Sequence, residues 1–337
     1  MQYYPIKKER LGSLDTIFAD IRRLWTLKGG NADALIQSWI SEISTGEIQG
    51  IFAAPDEDSS ATTLMWMKKS GRHYANILIH QVPDSVSDPG ALVQRFLTQC
   101  SVADSVLELI TYIDASPFEH ALLAIGYTRR ERQKMYMQIP DKVEGAPARP
   151  GLSFCNIGEI PETRIAKISC RAHAKQINRD AYIEFANIEN RSQLSKDFQS
   201  NDSHPYLSTA SRAAILNETV VAVIEVLRFP GPNNQGLAWI ADISVDPDYQ
   251  GQGLGRHLLL DSLSQIKQIE RIDSVGLCVT CTNTLAIKLY DTLGFSPAQK
   301  VLEYISPEYR RLCQSLANNN TPPELPHDPD LKLEKSE

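Results

Sequence analysis

The feature that most constrains this chain is an apolar run that turns sharply into a glycine-spaced helix start. Residues 240–245 are apolar enough for a central strand, and the Asp-Pro-Asp sequence that follows ends it. Gln250, Gly253 and Gly255 then stand directly ahead of an amphipathic helical pattern. A helix start exposes unpaired N–H groups and the positive end of the helix dipole, and glycines let an anion approach them closely. The segment predicts a phosphate-binding loop inside an α/β unit.

Two other phosphate loops fit this segment less well. A dinucleotide fingerprint beginning at Gly251 requires a small residue where Arg256 stands. A Walker loop requires Gly-Lys followed by Ser or Thr, which the segment lacks. Taken alone, the loop is equally compatible with a second interpretation, a flexible turn that precedes a helix and binds no ligand.

A second motif follows on the next strand–helix unit. It reads Asn283-x-x-Ala286-x-x-x-Tyr290-x-x-x-Gly294-Phe295. Together with the loop, it resembles the GNAT superfamily of acetyl-coenzyme A-dependent N-acetyltransferases, most specifically from about Ala213 to Ile305. The fold that the resemblance implies is α/β, with a mixed α+β sheet.

The resemblance also implies a role for each matching residue. The backbone of residues 243–245 would pair with the pantetheine arm of acetyl-CoA, and the amides of residues 251–256 would hold its pyrophosphate. Asn283 would contact the coenzyme, and Tyr290 would protonate the departing thiolate as general acid. Structural alternatives stay open here, because Asn283 suits a helix N-cap and Tyr290 lies on an apolar stripe. Coenzyme contacts are expected at Ile243, Ser244, Val245, Gln250, Gly251, Gln252, Gly253, Leu254, Gly255, Arg256, Asn283 and Tyr290.

The general base is less clearly encoded. Family members often place an acid or a histidine on the central strand, where this chain has Trp239 and Ala241. Asp242 is the nearest carboxylate and our catalytic candidate, but strand alternation turns it to the face opposite Trp239. It would act through a water, or serve as a structural acceptor. Glu225, on the preceding strand, is a weaker candidate.

The two halves of the chain are similar to each other. Residues 124–127 align with 292–295 at an offset that also superposes strand on strand and helix on helix, which indicates a duplication. In the first half, Leu122 stands at the position of Tyr290 and Ala115 at that of Asn283. We therefore predict two GNAT-like domains in tandem, similar in organisation only to mycothiol synthase. The first is a degenerate domain without a coenzyme loop (1–145) and the second is a GNAT acetyltransferase domain (146–312), followed by a disordered tail (313–337).

Composition narrows the partners. The 337 residues carry a formal charge of −7, which argues against nucleic acid or an anionic membrane as partner. No apolar stretch approaches the roughly 20 residues that span a bilayer. The six cysteines form no disulfide framework, so we expect a cytoplasmic protein. Cys278 and Cys281 would point to opposite faces of a strand, so we expect no metal.

The predicted function is transfer of an acetyl group from acetyl-CoA directly to a primary amine. The acceptor is open among a small molecule, a peptide N-terminus and a lysine, and the sequence does not indicate an oligomeric state. The alternative is a coenzyme-binding protein that has lost turnover, because the strand lacks the usual acid.

Overall fold

The computed structural model describes residues 1–27, 31–70, 73–83, 88–100, 105–111, 114–143, 145, 148–174, 182–230 and 235–319. The chain divides into two compact units. Residues 1–130 and 301–310 form the first unit, and the second consists of residues 131–300 with the segment from Arg311 onward. No helix in the described ranges combines the length and the apolar character that crossing a membrane requires.

The first unit is a mixed sheet with helices on both faces. Its strands follow the order β1-β2-β3-β4-β5-β12. Neighbours pair antiparallel except β4 and β5, which are parallel. Its elements are β1 (Gln2–Pro5), α1 (Asp15–Leu27), α2 (Asp33–Thr45), β2 (Ile48–Ala54), β3 (Thr63–Lys69), β4 (Tyr74–Gln81), α3 (Pro89–Cys100), β5 (Val106–Thr111), α4 (Ser116–Ala124) and the end of β12 (Ser296–Ile305).

Alternation along these strands supplies two cores. Phe52 and Leu64 face the core that contains α1 and α2, whereas Ile51 and Met65 face the one that contains α3 and α4. Successive strand residues point to opposite faces, so a sheet covered on both sides needs apolar residues in sequence.

The second unit has the same kind of architecture. Its strand order is β6-β11-β10-β9-β8-β7, with β10 and β11 parallel and the other neighbours antiparallel. Helices α7 and α8 pack on one face, and α5 packs on the other. Its elements are β6 (Thr128–Gln138), β7 (Leu152–Asn156), α5 (Glu162–Ala174), α6 (Ile188–Gln199), β8 (Arg212–Leu216), β9 (Thr219–Pro230), β10 (Gly236–Val245), α7 (Leu254–Ile266), β11 (Ile272–Thr280), α8 (Thr284–Thr292) and α9 (Pro307–Asn319).

Strands β8 and β9 form a hairpin. Asn217 and Glu218 form its turn with φ values of 50° and 68°. Two left-handed residues in succession are the mark of a type I′ turn, whose twist matches that of the strands it joins. The hairpin places β9 beside β10, on which the candidate site is built.

The last strand of each sequence half lies in the sheet of the other unit. Residues 132–138 of β6 pair with β11, and residues 302–305 of β12 pair with β5. The two compact units therefore do not coincide with the two predicted domains, whose boundary lies at residues 145/146. The two strands are equivalent by the internal duplication, so local sequence does not specify which sheet receives each one. Helix α9 extends to Asn319, so the segment predicted as a tail from residue 313 begins as helix, and its remainder lies outside the described residues.

Candidate active site

A β-bulge in β10 sets the geometry of the site. Ile240 pairs with Val226 but Asp242 pairs with Glu225, which leaves Ala241 as an extra residue. The parallel pairing of β10 with β11 runs from Gly236 to Ile240, so it stops at the bulge. Bulges bend a strand and disrupt its ladder locally. Beyond this point, residues 243–245 border a cavity.

The bulge also corrects the predicted orientation of Asp242. Trp239 pairs with Leu227 and Asp242 pairs with Glu225, and these two partners are two residues apart on β9. Directly paired residues share a face, and so do residues two apart on a strand. Asp242 therefore lies on the same face as Trp239, and the prediction of opposite faces was wrong because it assumed unbroken alternation.

The cavity has a volume of about 640 Å³ and opens between β10, the start of α7 and the start of α8. Every residue predicted to contact the coenzyme lines it except Gln252, whose side chain and carbonyl accept hydrogen bonds from Arg149 at 2.9 and 2.8 Å. The lining residues are Ala172, His173, Ile243, Ser244, Val245, Tyr249, Gln250, Gly251, Gly253, Leu254, Gly255, Arg256, Thr280, Thr282, Asn283, Leu285, Ala286, Leu289 and Tyr290.

The glycine loop leaves the start of α7 open. Gly251 and Gly253 adopt left-handed conformations, with φ of 76° and 77°. Gly253 occupies the N-cap position of α7, where no side chain caps the helix. The first amides of a helix have no acceptor within the helix, so those of the first turn of α7 remain for a ligand on this wall of the cavity.

Arg171 of α5 fixes the turn that leads into the loop. Its guanidinium donates to Asp246 at 3.0 Å and to Asp248 at 2.7 Å. Asp246 is buried and also accepts the amide of Asp248 at 3.0 Å. The sequence interpretation missed this anchor because Arg171 lies far from the loop along the chain.

Tyr290 and Asn283 come to the cavity on α8. The Asn283 side chain accepts the amide of Ala286 at 3.2 Å, so it caps the helix as well as lining the cavity. Tyr290 is 6% exposed and packs against Phe295, with ring centroids 5.8 Å apart. Burial, with a smaller contribution from the negative charge of Asp242, raises the pKa of Tyr290 well above its ordinary value. The phenol therefore remains protonated and able to donate at neutral pH.

Asp242 lies behind the cavity wall in a network of buried polar groups. It accepts hydrogen bonds from Ser169 at 2.7 Å, Arg191 at 3.0 Å and Ser244 at 3.0 Å, and its Oδ1 lies 3.4 Å from His173 Nε2. Burial alone would raise the pKa of Asp242, but hydrogen bonding to His173 and the charge of Arg191 outweigh it and hold that pKa well below its usual range. The carboxylate therefore stays ionised.

Glu225, the weaker candidate base, belongs to the same network. It is paired with Arg191 and accepts a hydrogen bond from Ser195 at 3.0 Å. Neither Glu225 nor Asp242 is among the residues that line the cavity.

His173 is the site residue that the sequence interpretation missed. It lies in the last turn of α5, and its side chain is 17% exposed and lines the cavity. Its ring stacks on Phe185 with centroids 3.8 Å apart. Only the packing of α5 against β10 brings it to Asp242, and no spacing in the sequence signals that contact.

Comparison with known proteins assigns this region. Residues 172–295 match the model of the Acetyltransferase (GNAT) family. This part of the chain is a GNAT domain. The chain is 43% identical over 61 residues to the ribosomal protein bS18-alanine N-acetyltransferase of Escherichia coli K12, a match covering 18% of this chain and 40% of that one. It is 41% identical over 71 residues to the mycothiol acetyltransferase of Kineococcus radiotolerans, covering 21% and 23%. The chain thus spans less than half the length of these curated relatives.

The likeness in fold extends over both units. A GCN5-related N-acetyltransferase from Sphaerobacter thermophilus superposes with a TM-score of 0.57 at 13% identity, covering 90% of this chain and 95% of that one. At this identity the likeness shows the fold alone. The prediction of two GNAT-like domains in tandem is confirmed.

At the two described positions that correspond to Tyr290 and Asn283, the first GNAT-like unit carries apolar residues. Leu122 is fully buried at the position corresponding to Tyr290, and Ala115 precedes α4 without a side-chain cap, where Asn283 caps α8. Its counterpart of the glycine loop falls partly on residues 84–87, which lie outside the described residues.

Proposed function

We propose that this protein transfers an acetyl group from acetyl-CoA directly to a primary amine. The observation that carries the proposal is the cavity of the GNAT domain, where an open helix start with left-handed glycines, a strand edge and a protonated tyrosine meet. The edge at residues 243–245 pairs with the pantetheine amides, as a peptide adds to a sheet edge. The amides of residues 251–256 bind the pyrophosphate, and Gln250 and Asn283 border the coenzyme.

The chemistry needs no covalent acetyl-enzyme. The amine attacks the thioester carbonyl, a C–N bond forms, and the C–S bond breaks as the tetrahedral intermediate collapses. Tyr290 donates its proton to the departing thiolate. Because burial raises its pKa, Tyr290 is present in the protonated donor form at neutral pH.

The relatives support an amine acceptor without identifying it. One is named for acetylating the alanine of ribosomal protein bS18, and another is named mycothiol acetyltransferase. A peptide N-terminus, a lysine and a small-molecule amine are all proposed as acceptor classes. None of the six cysteines, all of which lie in the described ranges, forms a disulfide, which supports a reducing cytoplasmic setting. The net charge of −7 supports neither nucleic acid nor membrane as partner.

A coenzyme-binding protein without turnover is the second candidate. It is favoured by the engagement of Asp242 and Glu225 in a buried network, which removes both predicted bases from the cavity wall. Thiol release from acetyl-CoA in the presence of an amine panel, measured beside acetyl-CoA binding by calorimetry, separates the two. Amine-dependent release establishes transfer, and binding without release from any amine favours the second candidate.

A further inference from the structure

Acetyl transfer requires a group that removes a proton from the amine. A primary amine is largely ammonium at neutral pH, and an ammonium has no lone pair with which to attack. Among the described residues that line the cavity, those with titratable side chains are His173, Tyr249, Arg256 and Tyr290. An arginine stays charged, a phenol ordinarily titrates near pH 10, and Tyr290 is assigned to the leaving thiol. A histidine is the side chain that exchanges protons near neutral pH.

His173 is oriented from two sides. Its Nε2 lies 3.4 Å from Oδ1 of Asp242, and its ring stacks on Phe185 at an interplanar angle of 29°. Asp242 is in turn held by Ser169, Ser244 and Arg191. A buried carboxylate behind an imidazole fixes the ring and stabilises the imidazolium when it forms.

We propose that His173, positioned by Asp242, accepts the proton of the acceptor amine during acetyl transfer. The inference rests on the proposed function. Asp242 is the positioning residue: it remains an anion behind the wall, and His173 carries the proton at the cavity. This division gives a role to Asp242, the predicted base, although it does not line the cavity.

The proton balance closes without a further reagent. An ammonium gives one proton to His173 to become the nucleophilic amine, and the second N–H proton is lost as the amide forms. Tyr290 protonates the thiolate and is reprotonated within the site. Ammonium and thioester thus give amide, thiol and one proton, which His173 passes to solvent.

The charged and titratable groups around His173 are set by the elements packed on α5. Asp242 on β10 lies nearest, with Arg191 of α6 and Glu225 of β9 in the network behind it. Tyr182 lies beside the imidazole with ring centroids 6.1 Å apart, and Tyr290 lines the same cavity. Arg191 pairs with both carboxylates of the network behind His173 and so partly neutralises their charge.

His173→Gln tests the proposal, with His204→Gln as matched control. His204 also stacks on an aromatic ring, that of Phe229 at 3.9 Å, but it does not line the cavity. Initial rates of thiol release are measured from about pH 6 to 9 with acetyl-CoA and three probes: an alanine-starting peptide, Nα-acetyl-lysine amide and tyramine. We expect His173→Gln to lower kcat/KM about a hundredfold near neutral pH. The deficit narrows as pH rises, because more of the amine is then unprotonated. Acetyl-CoA affinity by calorimetry and the His204→Gln rates stay at wild-type levels.

The possible outcomes of these measurements distinguish failure of this inference from failure of the proposed function. Wild-type protein that releases thiol with none of the probes contradicts the acetyl transfer on which the inference depends. If His173→Gln turns over at the wild-type rate with an unchanged pH profile, the proposed role of His173 is wrong, whereas the proposed function stands. If weaker binding of acetyl-CoA to His173→Gln accounts for its entire loss of rate, His173 has a structural role and does not accept the proton. Asp242→Asn adds a second readout: the acidic limb of the profile shifts to lower pH, because the imidazolium loses its anionic partner. If Asp242→Asn does not fold, Ser169→Ala replaces it: the carboxylate then loses one donor and interacts more strongly with the imidazolium, so the acidic limb shifts slightly to higher pH, and an unmoved limb contradicts the coupling.

Discussion

Replacing Tyr290 with phenylalanine removes the proposed proton donor and little else. The ring keeps its packing against Phe295, so the substitution deletes one hydroxyl from a site that is already buried. General acid catalysis is typically worth about 10² to 10⁴ in rate. The coenzyme thiol is a fair leaving group, since an ordinary thiol has a pKa of about 8.5, so the loss falls near the lower end. We expect kcat to drop about ten- to hundredfold, or about 1.4 to 2.7 kcal/mol in the barrier.

The assay is amine-dependent thiol release, read beside acetyl-CoA binding by calorimetry and the denaturant midpoint. Tyr206→Phe is the control, because Tyr206 also has a pKa raised by burial but does not line the cavity. A loss that appears in kcat with unchanged coenzyme affinity identifies an interaction made in the transition state. Unchanged turnover in Tyr290→Phe, or an equal loss in Tyr206→Phe, refutes the reasoning and leaves Tyr290 as a core residue.

Three further outcomes follow from the same geometry. Gly253→Ala places a side chain at φ 77°, which costs about 1 to 2 kcal/mol, and we expect weaker acetyl-CoA binding by calorimetry; unchanged affinity argues against a role for the loop conformation. Arg191→Met leaves buried Asp242 without its cation and destabilises by about 3 to 5 kcal/mol in urea unfolding, and a neutral result contradicts the buried network. Burial raises the pKa of Cys100 and of Cys170 to about 12. Their contribution to stability is present below the ordinary thiol pKa and is lost as pH rises toward 12, so the unfolding midpoint falls in alkaline buffer; a midpoint that stays level above about pH 9 contradicts it.

The loop and its neighbours could be predicted because their signals are local. Spaced glycines ahead of an amphipathic helix, and an asparagine placed to cap the next helix, depend on residues close together in the sequence. Gly253 and Asn283 therefore lie where the motif predicted, on the wall of one cavity. The turn at Asn217 is local in the same sense.

What the sequence did not predict depends on contacts between distant segments. The bulge at Ala241 is a property of pairing between β9 and β10, and it reverses the face of Asp242 relative to strict alternation. His173 reaches Asp242 only when α5 packs on the sheet. The sheet that receives β6 is equally a matter of long-range pairing, because β12 is its equivalent in the duplicated half.

The most direct test of the account follows the acetyl group itself. The protein is incubated with acetyl-CoA labelled with ¹³C in the acetyl group and with a panel of peptide N-termini, lysine side chains and small amines. The products are identified by mass spectrometry. The account predicts label in an amide of at least one acceptor, formed with an equal amount of free thiol and lost in Tyr290→Phe. Label that stays on the thioester, or appears only as acetate, contradicts it.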